Sequence, residues 1–182
     1  MGQLLQQRRS VREYSSESLS LSDIGQLLWA AQGVTHPRGL RTAPSAGALY
    51  PLELYVVAGN INGLEAGVYH YQIHKHRLVL HVSGDKRKEL GEAAYMQTWL
   101  SEAPAVFVFS ADYKRTSKKY GKRAKRYVHM EVGHAAQNLF LQAEDIGLGS
   151  VVVGAFYDEE VAELLQLPAG FAPLALMPAG KK

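Results

Sequence analysis

Three arginines and one serine lie within five residues near the start of the chain, at Arg8, Arg9, Ser10 and Arg12. A guanidinium can donate two parallel hydrogen bonds to a phosphate, and a serine adds a hydroxyl and a backbone N–H. These residue types at this spacing could bind a phosphate group. Arginines alone are equally typical of a basic surface helix, so the other motifs of the chain must decide between the two interpretations.

A second candidate is the proline-bounded stretch at residues 44–51. Its first five residues are Pro44, Ser45, Ala46, Gly47 and Ala48. Small residues allow a backbone to approach a flat ring closely. The segment 35–47 is rich in proline, glycine and arginine, and loops of this length are often binding loops. The alternative is an ordinary loop before a strand.

Two further motifs follow later in the chain. Residues 131–143 are typical of an apolar helix that carries the polar Gln137 and Asn138, which need hydrogen-bond partners if they are buried. Gly133 would permit close approach to this helix. A Gly-x-Gly turn at residues 147–149 precedes Val153 and Gly154, although such a turn can also be a simple helix stop.

The spacing of apolar residues predicts the elements that carry these motifs. Helices are predicted at residues 4–9, 21–32, 85–94, 127–146 and 158–165. We expect a capping box from Ser20 and Asp23, a helix stop at Gly33 and an N-cap at Asp158. Strands are predicted at residues 52–58, 68–73, 77–82, 105–111, 150–153 and 172–177. Several strands, partly antiparallel, against long helices indicate an α+β fold.

Length and composition limit the classes of protein to which this chain could belong. The 182 residues favour a single domain, residues 1–182, with a sizeable core. The chain has no cysteine, which excludes disulfides, thiolate nucleophiles and Cys-ligated metal centres. We find no signal peptide and no run of about 18 apolar residues, so we expect a cytoplasmic protein with no membrane partner.

The formal net charge is +3, and much of the excess lies in residues 114–126, where eight lysines and arginines occur without an acid. This stretch could bind nucleic acid, or it could form a solvated rim that attracts anionic ligands. We favour the rim, because no helix-turn-helix, RNA-recognition or zinc-finger motif accompanies it. His129 and His134 lie about 140° apart around a helix, unlike the i, i+4 pair of a zinc site, so we predict no metal.

In this order, the motifs resemble the nitroreductase family of FMN-dependent oxidoreductases over about residues 7–180. The likeness extends to the branch of thiazole/oxazole (azoline) oxidases, because residues 119–127 resemble that branch's K-Y-G-x-R-x-x-R-Y and lead into Glu131-x-Gly133-His134. The resemblance implies a mixed, largely antiparallel sheet flanked by long helices. It also implies an intertwined homodimer with FMN at the subunit interface.

The resemblance implies roles for the arginine motif and for the chain's end. The family's R-x-S-x-[RK] maps onto Arg8, Ser10 and Arg12, with the last cation near the N1/O2 edge of the ring, where a positive charge favours the reduced flavin. Family members often carry further cations after the final strand. Here Lys181 or Lys182 would take that part, and the alternative is that both belong to a solvated tail.

The other motifs would surround the ring. Many relatives place an asparagine side chain on the flavin where this chain has Ala48, so the contacts from residues 45–47 would come from the backbone. The helix with Gln137 would pack behind the flavin and against the second subunit. Val153 and Gly154 would set backbone groups near N5 and O4, where an N–H stabilises the electron-accepting edge.

We therefore expect an oxidoreductase that passes electrons from NAD(P)H through FMN to a small organic acceptor. No Rossmann fingerprint is present, so a nicotinamide would stack on the flavin only transiently. The sequence identifies no catalytic acid or base, although Tyr113, Tyr120 and Lys122 could line the pocket. The alternatives are azoline dehydrogenation in peptide modification, reductive dehalogenation, and a non-catalytic flavin- or anion-binding module.

Overall fold

The computed structural model of the chain describes residues 1–182. Its centre is a six-stranded sheet in the order β5-β4-β2-β6-β8-β7, and every neighbouring pair is antiparallel. These strands are β2 (Leu52–Ala58), β4 (Gly67–Gln72), β5 (Arg77–Ser83), β6 (Ala105–Asp112), β7 (Leu148–Ser150) and β8 (Phe171–Lys181). Two short strands, β1 (Leu19–Ser20) and β3 (Ile61–Asn62), pair in parallel beside it.

Seven α-helices flank the sheet. They are α1 (Gly2–Gln7), α2 (Leu21–Gln32), α3 (Arg87–Ala93), α4 (Thr98–Glu102), α5 (Tyr113–Tyr120), α6 (Ala124–Asp145) and α7 (Asp158–Leu164). Short 3₁₀ turns occupy residues 46–48, 73–75 and 121–123. No helix has the length and apolar character that crossing a bilayer requires.

Both faces of the sheet are covered. In β6, Phe107 and Phe109 face the side where α2 and α6 pack, while Val106 and Val108 face the side of α3, α4 and α7. This alternation follows from the two-residue period of a strand. Because both faces are buried, residues 105–109 of β6 are all apolar, and each fully buried large side chain contributes about 1.5–3 kcal/mol. The α+β fold class is confirmed.

Several local predictions are confirmed by the structure. Both bonds of the capping box are present: Asp23 N donates to the Ser20 hydroxyl at 3.1 Å, and Ser20 N donates to the Asp23 carboxylate at 2.9 Å. Gly33 ends α2, although with extended rather than left-handed dihedrals. Strand β2 has the predicted bounds.

Other boundaries differ for physical reasons. Asp158 is the first residue of α7 rather than its N-cap; the cap position is Tyr157, which makes no side-chain capping bond. Helix α6 begins at residue 124 rather than 127, and a separate polar helix, α5, precedes it. The sequence did not predict α5, because its basic residues face solvent and show no apolar period. Strand β8 runs to Lys181, since its pairing with β6 and β7 extends it beyond the apolar core.

Candidate functional site

The arginine motif lies along the free edge of β7. Ser10 forms a parallel bridge with Ser150, and the backbone N–H of Val11 donates to the Ser150 carbonyl at 2.9 Å. A Cβ on Gly149 would lie 2.6 Å from the Val11 side chain, so only glycine permits this approach. The motif is thus fixed in register against the sheet.

Aromatic rings support two of the arginines. The guanidinium carbon of Arg8 lies 5.0 Å from the centre of the Phe140 ring on α6, and that of Arg12 lies 5.7 Å from Trp99 on α4. Arg9 is exposed and donates to the carbonyls of Gln6 and Arg8, both at 2.8 Å. None of the three forms an ion pair with an acid.

Val153 and Gly154 continue from the same sheet edge. Val153 is buried and exchanges two backbone hydrogen bonds with Leu176 of β8, at 2.8 and 2.9 Å. Gly154 is exposed, and a Cβ placed on it would meet no atom within 4 Å. Its backbone therefore borders open space, four residues after the strand that pairs with the arginine motif.

The small-residue turn is strained. Gly47, Ala48 and Tyr50 all have positive φ, at 64°, 53° and 47°. For Ala48 and Tyr50 such a conformation costs about 1–3 kcal/mol each, and it persists only where the surroundings fix it. The Ser45 hydroxyl accepts a bond from Tyr50 N at 2.8 Å, which closes the turn. Strain of this kind clusters at active sites and ligand clamps.

Two arginines fix the turn from the side of the sheet. Arg115 Nη1 donates to the Tyr50 carbonyl at 3.0 Å, and its Nη2 pairs with Glu53 at 2.6 Å. The Arg41 guanidinium lies 4.4 Å from the centre of the Tyr50 ring and donates to Gln32 at 2.8 Å. Burial lowers the pKa of Arg41, although its neighbour Glu53 opposes this.

The outer side of the turn faces the end of α5. A Cβ built on Gly47 would lie 2.9 Å from the Tyr120 hydroxyl and 3.0 Å from Lys119 Nζ. The absence of a side chain at Gly47 therefore lets an ammonium and a phenol meet the turn directly. These residues belong to the tract that resembles the azoline oxidases.

The buried side of the turn rests on Glu131 of α6. This side chain is 2% exposed, and its Oε1 has no hydrogen-bond partner. Burial raises the pKa of Glu131 to about 7, against the lowering effect of hydrogen bonds from the Ser45 hydroxyl and the Ala46 backbone and of the Arg41 charge. It is an acid that titrates near neutral pH beneath the strained turn.

A pocket of about 640 Å³ opens beside Gly154. Its wall includes Lys122, Lys125 and the pair Tyr113–His129, whose hydroxyl and Nε2 are 2.6 Å apart. Burial, and to a lesser degree the charge of Asp158, raise the pKa of Tyr113. The structure places Tyr113 and Lys122 in the wall of this pocket, whereas Tyr120 lies at the turn.

The remaining predicted residues occupy different positions. Gln137 is exposed on α6, and Asn138 donates to the Thr42 carbonyl at 3.3 Å. The ammonium of Lys181 contacts Glu17 at 2.5 Å, and that of Lys182 contacts Glu144 at 2.7 Å. Both lysines are paired with acids rather than left free for a phosphate.

Within one chain the motifs form two separate groups. Arg8 rests on Phe140 and the turn rests on Glu131, nine residues earlier in α6, which corresponds to about 13 Å along the helix axis. No hydrogen bond joins residues 8–12 to residues 44–48. The two groups therefore rest against one helix at separate positions, with no hydrogen bond between them.

Two features escaped the sequence analysis. Glu131 was noted only as part of a motif, yet it shares the buried face of α6 with Val128, Val132 and Ala135, and an acid at a core position is a detectable signal. The Tyr113–His129 pair joins two helices and could not have been detected from periodicity.

The donor set suits a flavin mononucleotide. Arg8, Arg9 and Arg12 carry uncompensated positive charge, as a dianionic phosphate requires. The buried Ser150 hydroxyl beside Ser10 has no partner. The open space at Gly154 would admit a flat ring. These observations agree with the group that the sequence resemblance implies.

Comparison with known proteins gives a consistent result. The model of the nitroreductase family matches residues 5–181. A protein of Methanocaldococcus jannaschii, MJ1384, inferred to be a nitroreductase, is 49% identical over 98% of this chain and 89% of its own. An FMN reductase [NAD(P)H] of Bacillus subtilis is 26% identical over 94% of this chain, which spans 61% of that protein.

Comparison with solved structures finds the same kinds of proteins as comparison of sequences. A protein of Ralstonia eutropha, also inferred to be a nitroreductase, superimposes with a TM-score of 0.86 at 30% identity, over 98% of this chain and 80% of that one. A chain of the Escherichia coli microcin synthetase McbBCD complex superimposes with a TM-score of 0.82 at 26% identity, over 98% and 72% of the two chains.

Proposed function

Because the chain belongs to the nitroreductase family, we propose that it is an FMN-dependent oxidoreductase that passes electrons from NAD(P)H to a small organic acceptor. The observation that carries the proposal is the arrangement at the β7 edge. Three arginines without acidic partners lie in the segment whose Ser10 pairs with Ser150 of β7. The chain after β7 leads to Gly154, where a Cβ would meet no atom within 4 Å. The Bacillus subtilis relative, by its name, reduces FMN with NAD(P)H, which supports the choice of donor and cofactor.

Each residue group would have a distinct task. Arg8 and Ser10 would hold the phosphate, and Arg12 would face the N1 edge of the ring, where it favours negative charge. The N–H of Gly154 would donate at the N5/O4 edge. When bound, the flavin supplies the hydride and electron chemistry, while the protein supplies binding, orientation and electrostatics.

The separation of the two groups on α6 supports a shared site in a homodimer. An exposed stripe on α6 consists of Met130, Gly133, His134 and Gln137, and a Cβ on Gly133 would meet no atom within 4 Å. Such a face suits close packing against a second copy with two-fold symmetry. The turn of one subunit would then meet the arginine motif of the other.

The pocket beside Gly154 is the proposed entrance for the second substrate. It is large enough for a small organic molecule, and it is continuous with the backbone that we place at the reactive edge of the ring. Lys122 and Lys125 give its outer wall positive charge, which would attract anionic substrates.

The first experiment is the absorption spectrum of the purified protein, followed by titration with FMN and riboflavin. We expect a yellow protein, or one that quenches the fluorescence of added FMN, and that prefers FMN to riboflavin because the arginines bind the phosphate. Equal affinity for the two flavins would exclude the phosphate assignment. Consumption of NAD(P)H separates an enzyme from a non-catalytic flavin-binding module.

A second candidate activity is azoline dehydrogenation, in which the flavin oxidises a heterocycle in a peptide. The observation that favours it is the convergence of Lys119 Nζ and the Tyr120 hydroxyl on the turn at Gly47. The structural similarity to a chain of the microcin synthetase complex also supports it. Incubation with an azoline-containing peptide, followed by mass spectrometry, tests it: the expected loss is two hydrogens for each ring.

A further inference from the structure

The turn at residues 45–50 needs external support, because Ala48 and Tyr50 adopt backbone conformations that side chains disfavour. Arg41 and Arg115 supply support at the Tyr50 end. The Ser45–Ala46 end rests on Glu131. This end includes the backbone expected to lie nearest the flavin ring.

The two oxygens of Glu131 have different environments. Oε1 is buried and has no hydrogen-bond partner. The Ser45 hydroxyl and the Ala46 N–H face this carboxyl as donors, and we assign their bonds to Oε2 because Oε1 makes none. An ionised carboxylate with a bare buried oxygen is costly, whereas a proton on Oε1 removes the charge and leaves Oε2 free to accept both bonds.

We propose that Glu131 is a positioning residue that holds the flavin-facing turn through Oε2 in either protonation state, while Oε1 exchanges a proton with solvent as the charge above the turn changes. This inference depends on the proposed function, because it assumes that residues 45–47 face the ring. It adds a role for Glu131 that binding and electron transfer alone do not require.

Reduction of a bound flavin would change the charge above the turn. A hydride brings two electrons and one proton, so the oxidised ring gains one negative charge. A like charge nearby disfavours the ionised carboxylate, so the ionised fraction of Glu131, about half at pH 7, would take up a proton from solvent and become neutral. When the ring passes its hydride to an acceptor, Glu131 releases that proton again. Since its pKa lies at about 7, the group can respond at neutral pH.

Several other ionisable groups lie near Glu131. Arg41 faces it from the loop, and Glu53 and Arg115 lie behind Arg41. Lys119 and Tyr120 of α5 lie on the far side of the turn at Gly47. On α6 itself, Tyr127 and His134 flank Glu131 at helical spacing, and His134 is exposed. His134 is the only histidine among these groups, so His134→Gln serves as a control.

The first test measures the support of the turn. FMN binding is titrated by fluorescence for wild type, Glu131→Gln, Glu131→Ala and Ser45→Ala. The glutamine keeps an acceptor oxygen and should bind FMN within about twofold of wild type, whereas either alanine variant should bind about tenfold more weakly. Circular dichroism confirms that each variant is folded. If Glu131→Ala is folded and binds like wild type, or if Ser45→Ala does, the positioning role is wrong.

The second test measures the proton. Bound FMN is reduced in weak buffer at pH 7 with a pH indicator present, and proton uptake per flavin is compared. Wild type should take up about half a proton more than Glu131→Gln, because a carboxyl with its pKa near 7 is about half ionised. Asp145→Asn, at the exposed end of the same helix, and His134→Gln should match wild type. Equal uptake by wild type and Glu131→Gln would overturn the proton assignment.

A flavin-free measurement separates this inference from the proposed function. Carbon-13 NMR of labelled glutamate in the apo-protein should show one carboxyl that titrates near pH 7 and that is missing from Glu131→Gln. If wild type binds no FMN, the proposed function and the positioning role both fail, whatever the NMR shows. If FMN binds but every glutamate titrates near its ordinary value, only the exchangeable proton is disproved.

Discussion

The guanidinium of Arg12 lies 5.7 Å from the centre of the Trp99 ring, so the cation proposed for the N1 edge is supported by α4. Arg8 is supported by Phe140 on α6 instead. Cation–π contacts of this kind are worth about 0.5–1 kcal/mol at exposed sites. Because their supports are separate, the two arginines should respond separately to mutation.

Arg12→Ala should lower the reduction potential of bound flavin and slow hydride uptake more than it weakens FMN binding. Losing one charge-assisted hydrogen bond costs about 1.5–3 kcal/mol. For the proposed bond between Arg12 and the ring, this loss would fall mainly on the reduced flavin, which carries the negative charge. Arg8→Ala should do the reverse, weakening FMN while the potential of bound flavin stays almost unchanged. Titration of both variants with a redox dye distinguishes them. If Arg12→Ala keeps the wild-type potential and only loses flavin, Arg12 is a second phosphate ligand.

Gly154→Val and Gly149→Ala form a matched pair. A Cβ at Gly154 meets no protein atom, so Gly154→Val should leave the melting temperature of the apo-protein unchanged but should block the ring and abolish FMN binding. A Cβ at Gly149 would lie 2.6 Å from Val11, so Gly149→Ala should destabilise the fold by about 1–3 kcal/mol. Thermal unfolding and FMN titration measure both. Undiminished FMN binding by Gly154→Val would remove this segment from the flavin site.

The stability of the apo-protein should fall as pH rises from about 4.5 to 7. Glu131 has its pKa raised by burial to about 7, so the folded protein holds a proton that the unfolded chain has already released in this window. The loss is complete above the folded pKa and amounts to at most about 3.5 kcal/mol, since each pKa unit corresponds to about 1.4 kcal/mol. Urea unfolding at several pH values checks this. The Glu131→Gln variant should not lose stability in this pH range. If its free energy of unfolding falls with pH as steeply as that of wild type, Glu131 is not the source of the loss.

Replacing Lys122 and Lys125 together by glutamine should weaken anionic substrates selectively. The KM for an anionic acceptor such as 4-nitrobenzoate should rise by about three- to tenfold, while that for neutral nitrobenzene should change little, since exposed charges act mainly by steering and screened attraction. Lys86→Gln with Lys88→Gln, on another surface, is the matched control. Equal effects on both acceptors would show that these lysines do not select by charge.

Much of the fold follows from local pattern. The alternation in residues 52–58 and 105–111 predicts two central strands, because a two-residue period allows only one choice of faces. Ser20 and Asp23 predict the start of α2, since the reciprocal bonds need only residues three apart. In contrast, α4 is five residues long and too short for a helical period to show, and the sequence analysis did not predict it.

The site was predictable in its components but not in its arrangement. Arginines, small residues and glycines could be recognised from their chemistry and their resemblance to a family. The support of Arg12 by Trp99, or of the turn by Glu131, depends on side chains far apart in the chain. An acid at a core position marks Glu131 in the sequence, but the partner of each of these side chains is revealed only by the folded structure.

The N-terminal segment also protects the sheet from unwanted pairing. Strand β7 is the last strand on its side, and unpaired backbone groups at such an edge are a template for aggregation. The bridge between Ser10 and Ser150 covers that edge with the same residues that bear the arginines. Removal of residues 1–12 should therefore cause self-association as well as loss of cofactor. Selection for solubility and selection for the phosphate site would act on one short stretch of chain.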